Sequence, residues 1–153
     1  MNAYMLDTTV FNHLVDGSIN AVSMTTGRQF FVTHIQHIEI QNTRNSARLK
    51  NLLAMFRAVD PTRVPTASAV WGVSEYGESE WSSGDGLFES LLEKLNEKNK
   101  SKPNNDRDIL IAETAIRHNF ILVTDDGDLS EVVRDVGGNV IGLTELLSNN
   151  PHV

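Results

Sequence analysis

Short apolar runs that end on carboxylates alternate with amphipathic stretches along this chain, and that alternation limits the folds open to it. Ala3-Tyr4-Met5-Leu6 is one such run, ending at Asp7-Thr8-Thr9. Phe120-Ile121-Leu122-Val123-Thr124 is a stronger one, ending at Asp125-Asp126-Gly127-Asp128. Runs this short and this apolar predict strands buried on both faces. Between them apolar residues recur at three- and four-residue steps, which predicts amphipathic helices. Parallel strands need a crossover between them, so strands that alternate with helices build a mostly parallel sheet covered on both faces. The expected class is α/β.

The remaining elements follow from the same patterns. Thr8 or Thr9 can cap a helix over 10–15 that stops near Gly17. A second strand is expected over 29–33. From about Thr33, Ile35, Ile38, Leu49, Leu52, Leu53 and Phe56 mark one or two amphipathic helices that end near Asp60-Pro61. A third strand is expected within 64–73. Residues 72–86, rich in Gly, Ser and Glu, read as an exposed loop or lid, an insertion around 71–86. Leu87, Phe88, Leu91, Leu92 and Leu95 stripe a helix over 87–98. Asp106 or Asp108 opens a helix reaching His118. A short helix over 129–135 and a last strand over 139–141 complete the reading.

Composition narrows the class further. With 153 residues the chain is expected to form one domain, and a domain of that size buries about 70% of its unfolded surface. There is no cysteine, which excludes a disulfide framework and a thiolate zinc site. No apolar run approaches a membrane span, and the first residues do not read as a secretory signal. A soluble, cytoplasmic protein with no membrane partner is expected. The net charge of −7 argues against a simple basic nucleic-acid binder. It fits carboxylates that hold divalent ions, whose charge reverses the local sign, and it fits a solvated acidic surface equally.

The placement of the acids carries the chemical argument. Ligands of parallel α/β sheets bind beyond the carboxyl ends of the strands. Asp7 follows the first strand, and Asp125, Asp126 and Asp128 follow the strand 120–124. Asp108 stands at the start of the preceding helix, and Glu39 early in the helix after the second strand. Right-handed crossovers bring these points to one edge of the sheet. Taken singly, each has an ordinary reading. Asp7 and Asp108 serve as helix caps, Asp125-Asp126-Gly127-Asp128 as a turn, and Glu39 as a solvated helix residue. Taken together, they predict a site whose mutual repulsion a divalent cation would relieve. Oxygen ligands with few His and no Cys select Mg²⁺ or Mn²⁺. Such a site suits phosphodiester hydrolysis.

At these residues the chain resembles the PIN-domain family. Tyr4-Met5-Leu6-Asp7-Thr8-Thr9-Val10 is similar to the opening motif, and His37-Ile38-Glu39-Ile40 stands where the family has its second acid. Asp108-Ile109-Leu110-Ile111-Ala112-Glu113-Thr114-Ala115 resembles the third motif, and 121–129 the last. The match is poor over 64–102. By size and motif the nearest subgroup is the VapC-like toxin of bacterial toxin–antitoxin pairs. The resemblance implies a three-layer α/β/α fold around four or five mostly parallel strands. It also implies Mg²⁺- or Mn²⁺-dependent endoribonuclease activity, a homodimer, and inhibition by a small cognate antitoxin. Asp7, Glu39 and Asp108 carry over as the main acids, Asp126 as the favoured fourth, and Asp128 as a helper. Thr8, Thr9, Thr124 and Asp125 carry over in support, the threonines orienting a carboxylate or a water.

Other residues are open to two readings. Lys94, Lys98, Lys100, Lys102 and Arg107 lead into the third acidic motif, as an RNA-backbone contact or as a solvated helix end. Arg44, Arg48 and Arg57 either contact RNA or pair with surface acids. His34 and His37 suit helix packing better than zinc, which wants four closed ligands. Trp71, Tyr76 and Trp81 stack on bases, anchor a partner or pack a loop. Two other functional classes compete. A phosphatase of the haloacid-dehalogenase kind needs a second Asp two residues after the first, where this chain has Thr9. A PIN-like or receiver-like module would bind metal without turnover.

Overall fold

The computed structural model describes residues 2–68 and 86–148. In chain order the elements are β1 (Asn2–Leu6), α1 (Thr8–Asp16), α2 (Ala21–Thr25), β2 (Arg28–Val32), α3 (His34–Gln41), α4 (Ser46–Val59) and β3 (Thr62–Arg63). They continue as α5 (Leu87–Asn99), α6 (Asn105–Arg117), β4 (Ile121–Val123), α7 (Gly127–Asp135), β5 (Val140–Ile141) and α8 (Leu143–Ser148). The five strands form one sheet in the order β3-β2-β1-β4-β5. Every pairing is parallel, with Tyr4 beside both Phe30 and Ile121 at the centre.

The pleat sends successive side chains to opposite faces, and both faces are covered. Tyr4, Leu6, Phe30, Val32 and Val123 pack with Val10, Phe11 and Leu14 of α1, Leu52 of α4 and Leu146 of α8. Met5 and Leu122 face the other way, against Leu91 and Leu95 of α5, Ile109 to Ala112 of α6, and Leu129, Val132 and Val133 of α7. The result is a three-layer α/β/α fold, as expected for strands apolar on both faces.

The topology places the site. From β1 the chain winds outward through β2 and β3, then returns to lay β4 and β5 on the other side of β1. Where the winding direction reverses, the carboxyl ends of neighbouring strands splay their connections apart and leave a crevice. Here that point lies between β1 and β4, whose following residues are Asp7 and Thr124-Asp125-Asp126.

Several boundaries differ from the sequence reading. The cap of α1 is Asp7 itself, which accepts from the Thr8 N–H, so the helix begins at Thr8. The long helical stretch divides at residues 42–45, because the Asn45 side chain caps a new helix at the Arg48 N–H. The third strand lies at Thr62–Arg63, not within 64–73. Asp60 ends α4 in the left-handed region and Pro61 extends the chain at once, so pairing with β2 begins there. Helix α6 opens one residue before Asp106, after Asn104. Helices α2 and α8 were not expected. The former is capped by Asn20, and the latter receives its cap from Asp125, which accepts from the Leu143 N–H at 3.0 Å. Apart from Gly86, the expected lid over 71–86 falls outside the described residues, as do Trp71, Tyr76 and Trp81. Among the described residues no helix is long and apolar enough to cross a membrane.

Candidate active site

Asp7 is the buried centre of the crevice. It leaves β1 with its N–H donating to Val123 O of β4. Its Oδ1 accepts from the Thr8 N–H at 2.8 Å. Its Oδ2 accepts from Thr124 Oγ1 at 2.8 Å and from Thr9 Oγ1 at 3.2 Å. Burial nevertheless raises its pKa above the ordinary carboxylate value, against the three hydrogen bonds that favour the charge, and nearby Asp126 adds repulsion.

Glu39 reaches the same place from the second turn of α3, later in the helix than expected, because α3 is short and ends at Gln41. Its Oε1 accepts from Thr8 Oγ1 at 2.7 Å. Burial raises its pKa, the Thr8 bond opposes the rise, and the negative charge of Asp7 adds to it. Two residues that the sequence reading passed over set the orientation of α3. Thr33 caps the helix, and Gln36 completes a capping box by accepting from the Thr33 N–H at 2.9 Å. The Gln36 amide then donates to Leu6 O of β1 at 2.8 Å. One fully buried side chain thus ties the start of the Glu39 helix to the strand that ends in Asp7. The Thr-x-x-Gln spacing was the available signal.

Asp108 stands in the first turn of α6. Its pKa is pushed up to about 8, first by burial and then by the negative charges of Asp7, Glu39 and Asp126, with Arg107 opposing. The charges of three other carboxylates thus act on Asp108, while Thr8 bonds to both Asp7 and Glu39 and Thr124 bonds to both Asp7 and the Asp126 N–H. Asp126 caps α7, its Oδ1 accepting from the Asp128 and Leu129 N–H groups. Its own N–H donates to Thr124 Oγ1 at 3.2 Å. Thr124 therefore links the first and last acidic motifs through one hydroxyl.

The other acids of the last motif are engaged elsewhere. Asp125 caps α8 with one oxygen, and its other oxygen contacts His13 Nδ1 at 2.8 Å. The charge of Asp128 acts on Lys98 of α5. Among the basic residues, Lys98 pairs with Glu131 at 2.7 Å, whereas Lys100 and Lys102 are exposed. Arg107 acts on Glu39 and Asp108. Arg48 is held by Asp16 and Asn12. His37 packs against Phe56, with ring centroids 5.4 Å apart, and His34 is buried at the start of α3.

The donor set is carboxylate and hydroxyl oxygen, which fits Mg²⁺ or Mn²⁺ and does not fit a soft-metal site. Burial first, and the negative charges of neighbouring acids after it, raise the pKa values of Asp7, Glu39 and Asp108, and a bound cation would offset both. Among the described residues no three His, Asp or Glu side chains already stand as a closed ion-holding group.

No protein-family model matches the chain, and no curated relative does. Solved structures do share its fold. The PIN domain endonuclease Utp24 superposes with a TM-score of 0.58 over 97% of this chain and 86% of that one, at 12% identity. VapBC2 from Rickettsia felis, solved bound to a promoter DNA fragment, gives 0.53 over 92% and 98%, at 17% identity. VapBC-5 from Mycobacterium tuberculosis, of the VapBC family of toxin-antitoxin systems, gives 0.51 over 93% and 98%, also at 17%.

Proposed function

We propose, from the premise that the fold is a VapC-like PIN domain, that this chain is a Mg²⁺- or Mn²⁺-dependent endoribonuclease, the toxin of a toxin–antitoxin pair. What supports the reading is the hydrogen-bonded linkage of Asp7 to Glu39 through Thr8 and to Asp126 through Thr124 at the switch point, with Asp108 feeling the charges of all three. These four side chains would hold the cation, with Asp128 as a helper beyond them. When bound, the ion supplies a water of lowered pKa and neutralises charge on the phosphate.

The protein groups divide the remaining work. Thr9 and Thr124 fix Asp7 Oδ2, and the Thr8 N–H fixes Oδ1, so this carboxylate has one orientation. The Thr8 hydroxyl fixes Glu39. Asp108, raised to about 8, holds a proton at neutral pH and gives it up when a cation takes its place. The reading extends to an RNA substrate, a homodimer and a small antitoxin, the last supported by the toxin–antitoxin neighbour.

The test is cleavage of a mixed RNA pool with Mg²⁺ or Mn²⁺ by the natural chain and by Asp7→Asn. Cleavage by the former and loss of about 10²–10³-fold in the latter is expected. Equal cleavage by both would remove Asp7 from the chemistry.

A further inference from the structure

Among the described residues, Arg107 is the cation whose charge acts on two of the four acids, Glu39 and Asp108. It stands in the first turn of α6, directly before Asp108, and is half-buried. Yet among the described residues it forms no ion pair and no hydrogen bond through its guanidinium. A guanidinium presents a rigid fork of donors that matches two oxygens of a phosphate. With no such bond among the described residues, its fork is placed to take an incoming anion. Once a divalent ion neutralises the acids, their hold on Arg107 weakens further and that preference grows.

The backbone around it is built to stay in place. Asn105 is buried, and its amide donates to Asn96 Oδ1 at 2.7 Å and to Asn99 Oδ1 at 2.8 Å. Asn99 returns a bond to Asn105 Oδ1 at 2.9 Å. This amide lattice joins the end of α5 to the start of α6. Between them Lys100 and Ser101 both adopt the left-handed region, with φ of 60° and 57°, at a cost that the lattice must offset. The turn so held carries the exposed Lys100 and Lys102 into the start of the Asp108 helix, and neither lysine has a carboxylate partner among the described residues.

We propose that Arg107 is the phosphate-positioning residue of this site, gripping a backbone phosphate of single-stranded RNA, and that the Asn96–Asn99–Asn105 lattice holds Lys100 and Lys102 as the track along which the strand approaches. The inference rests on the nuclease reading and names its substrate contact. The strand enters on the α5–α6 side of the acids. Lys98, tied to Glu131, is outside the track.

The test is anisotropy of a 5′-labelled single-stranded RNA in Mg²⁺, on an Asp7→Asn background that suppresses cleavage. Adding Arg107→Ala should weaken Kd by at least about tenfold and lower the salt slope by about one charge. Arg107→Lys, which keeps charge but loses the fork, should keep the slope and recover only part of the affinity. Should Arg107→Ala not fold, Arg107→Gln carries the same comparison. In kinetics with Asp7 intact, Arg107→Ala should raise KM more than it lowers kcat. Unchanged Kd and slope in Arg107→Ala, with RNA bound by the Asp7→Asn parent, would overturn the role of Arg107 alone. A parent that binds no RNA at low salt, together with a natural chain that cuts none, would overturn the nuclease reading as well.

Discussion

Burial and three neighbouring carboxylates act together on Asp108, and two expectations follow from these surroundings. Its folded-state pKa of about 8 lies above the ordinary 3.8. A group raised in this way favours the folded chain below the lower value, and that support is lost as pH rises through the higher one. Asp7 and Glu39 shift in the same direction. In chelator the melting temperature should therefore fall between about pH 4 and pH 8, and Asp108→Asn should flatten the fall. A melting profile that rises over this window would contradict the assignment. Mn²⁺ should stabilise the chain more at pH 8 than at pH 5, because at the lower pH it must displace protons. Asp108→Asn should also lower RNA cleavage by about 10²–10³-fold while leaving the metal-free chain more stable at pH 8. Joint loss of activity and stability would instead mark Asp108 as structural.

At the scale of elements, the accuracy of the acidic array depends on how α3 and α7 are anchored. Gln36→Ala would leave Leu6 O and the Thr33 N–H without their buried partner. A loss of about 1–3 kcal/mol in denaturant unfolding is expected. Because Gln36 also orients the Glu39 helix, cleavage should drop about 10–100-fold. Unchanged activity would detach α3 placement from the chemistry. At the opposite edge of the sheet, between α7 and β5, Gly138 lets the chain turn closely under α7. A Cβ there would meet Val133 Cγ1 at 2.7 Å and Ile116 Cγ1 at 3.1 Å. Gly138→Ala should cost about 1–3 kcal/mol by overpacking, read as a lower denaturant midpoint. The strands β1 and β4 were legible because each is apolar on both faces and stops on an acid. Helices α2 and α8 were not, since five and six residues are too few to display a 3.6-residue period. The cap of α8 comes from Asp125, eighteen residues before Leu143, a contact that no local pattern records. The two-residue β3 exists because β2 offers it an edge, not because of its own composition.

At the scale of the molecule, one topological reversal explains why acids spread over 120 residues meet. Winding outward from β1 in both directions places Asp7 and Asp126 on neighbouring strand ends, and the crossovers deliver Glu39 and Asp108 to the same edge. The alternation of strands and helices made this edge readable from the chain. The division of labour among Asp125, Asp126 and Asp128 was not readable, because their caps point to α8 and α7 and appear only when the helices are placed. The central claim is that these carboxylates share a divalent cation. Anomalous scattering from a crystal soaked in Mn²⁺ tests it most directly. A manganese peak bonded to oxygens of Asp7, Asp108 and Asp126, with Glu39 reaching it directly or through water, is the expected result. A saturating soak that leaves no peak among these four side chains, or places manganese elsewhere on the surface, would contradict the account.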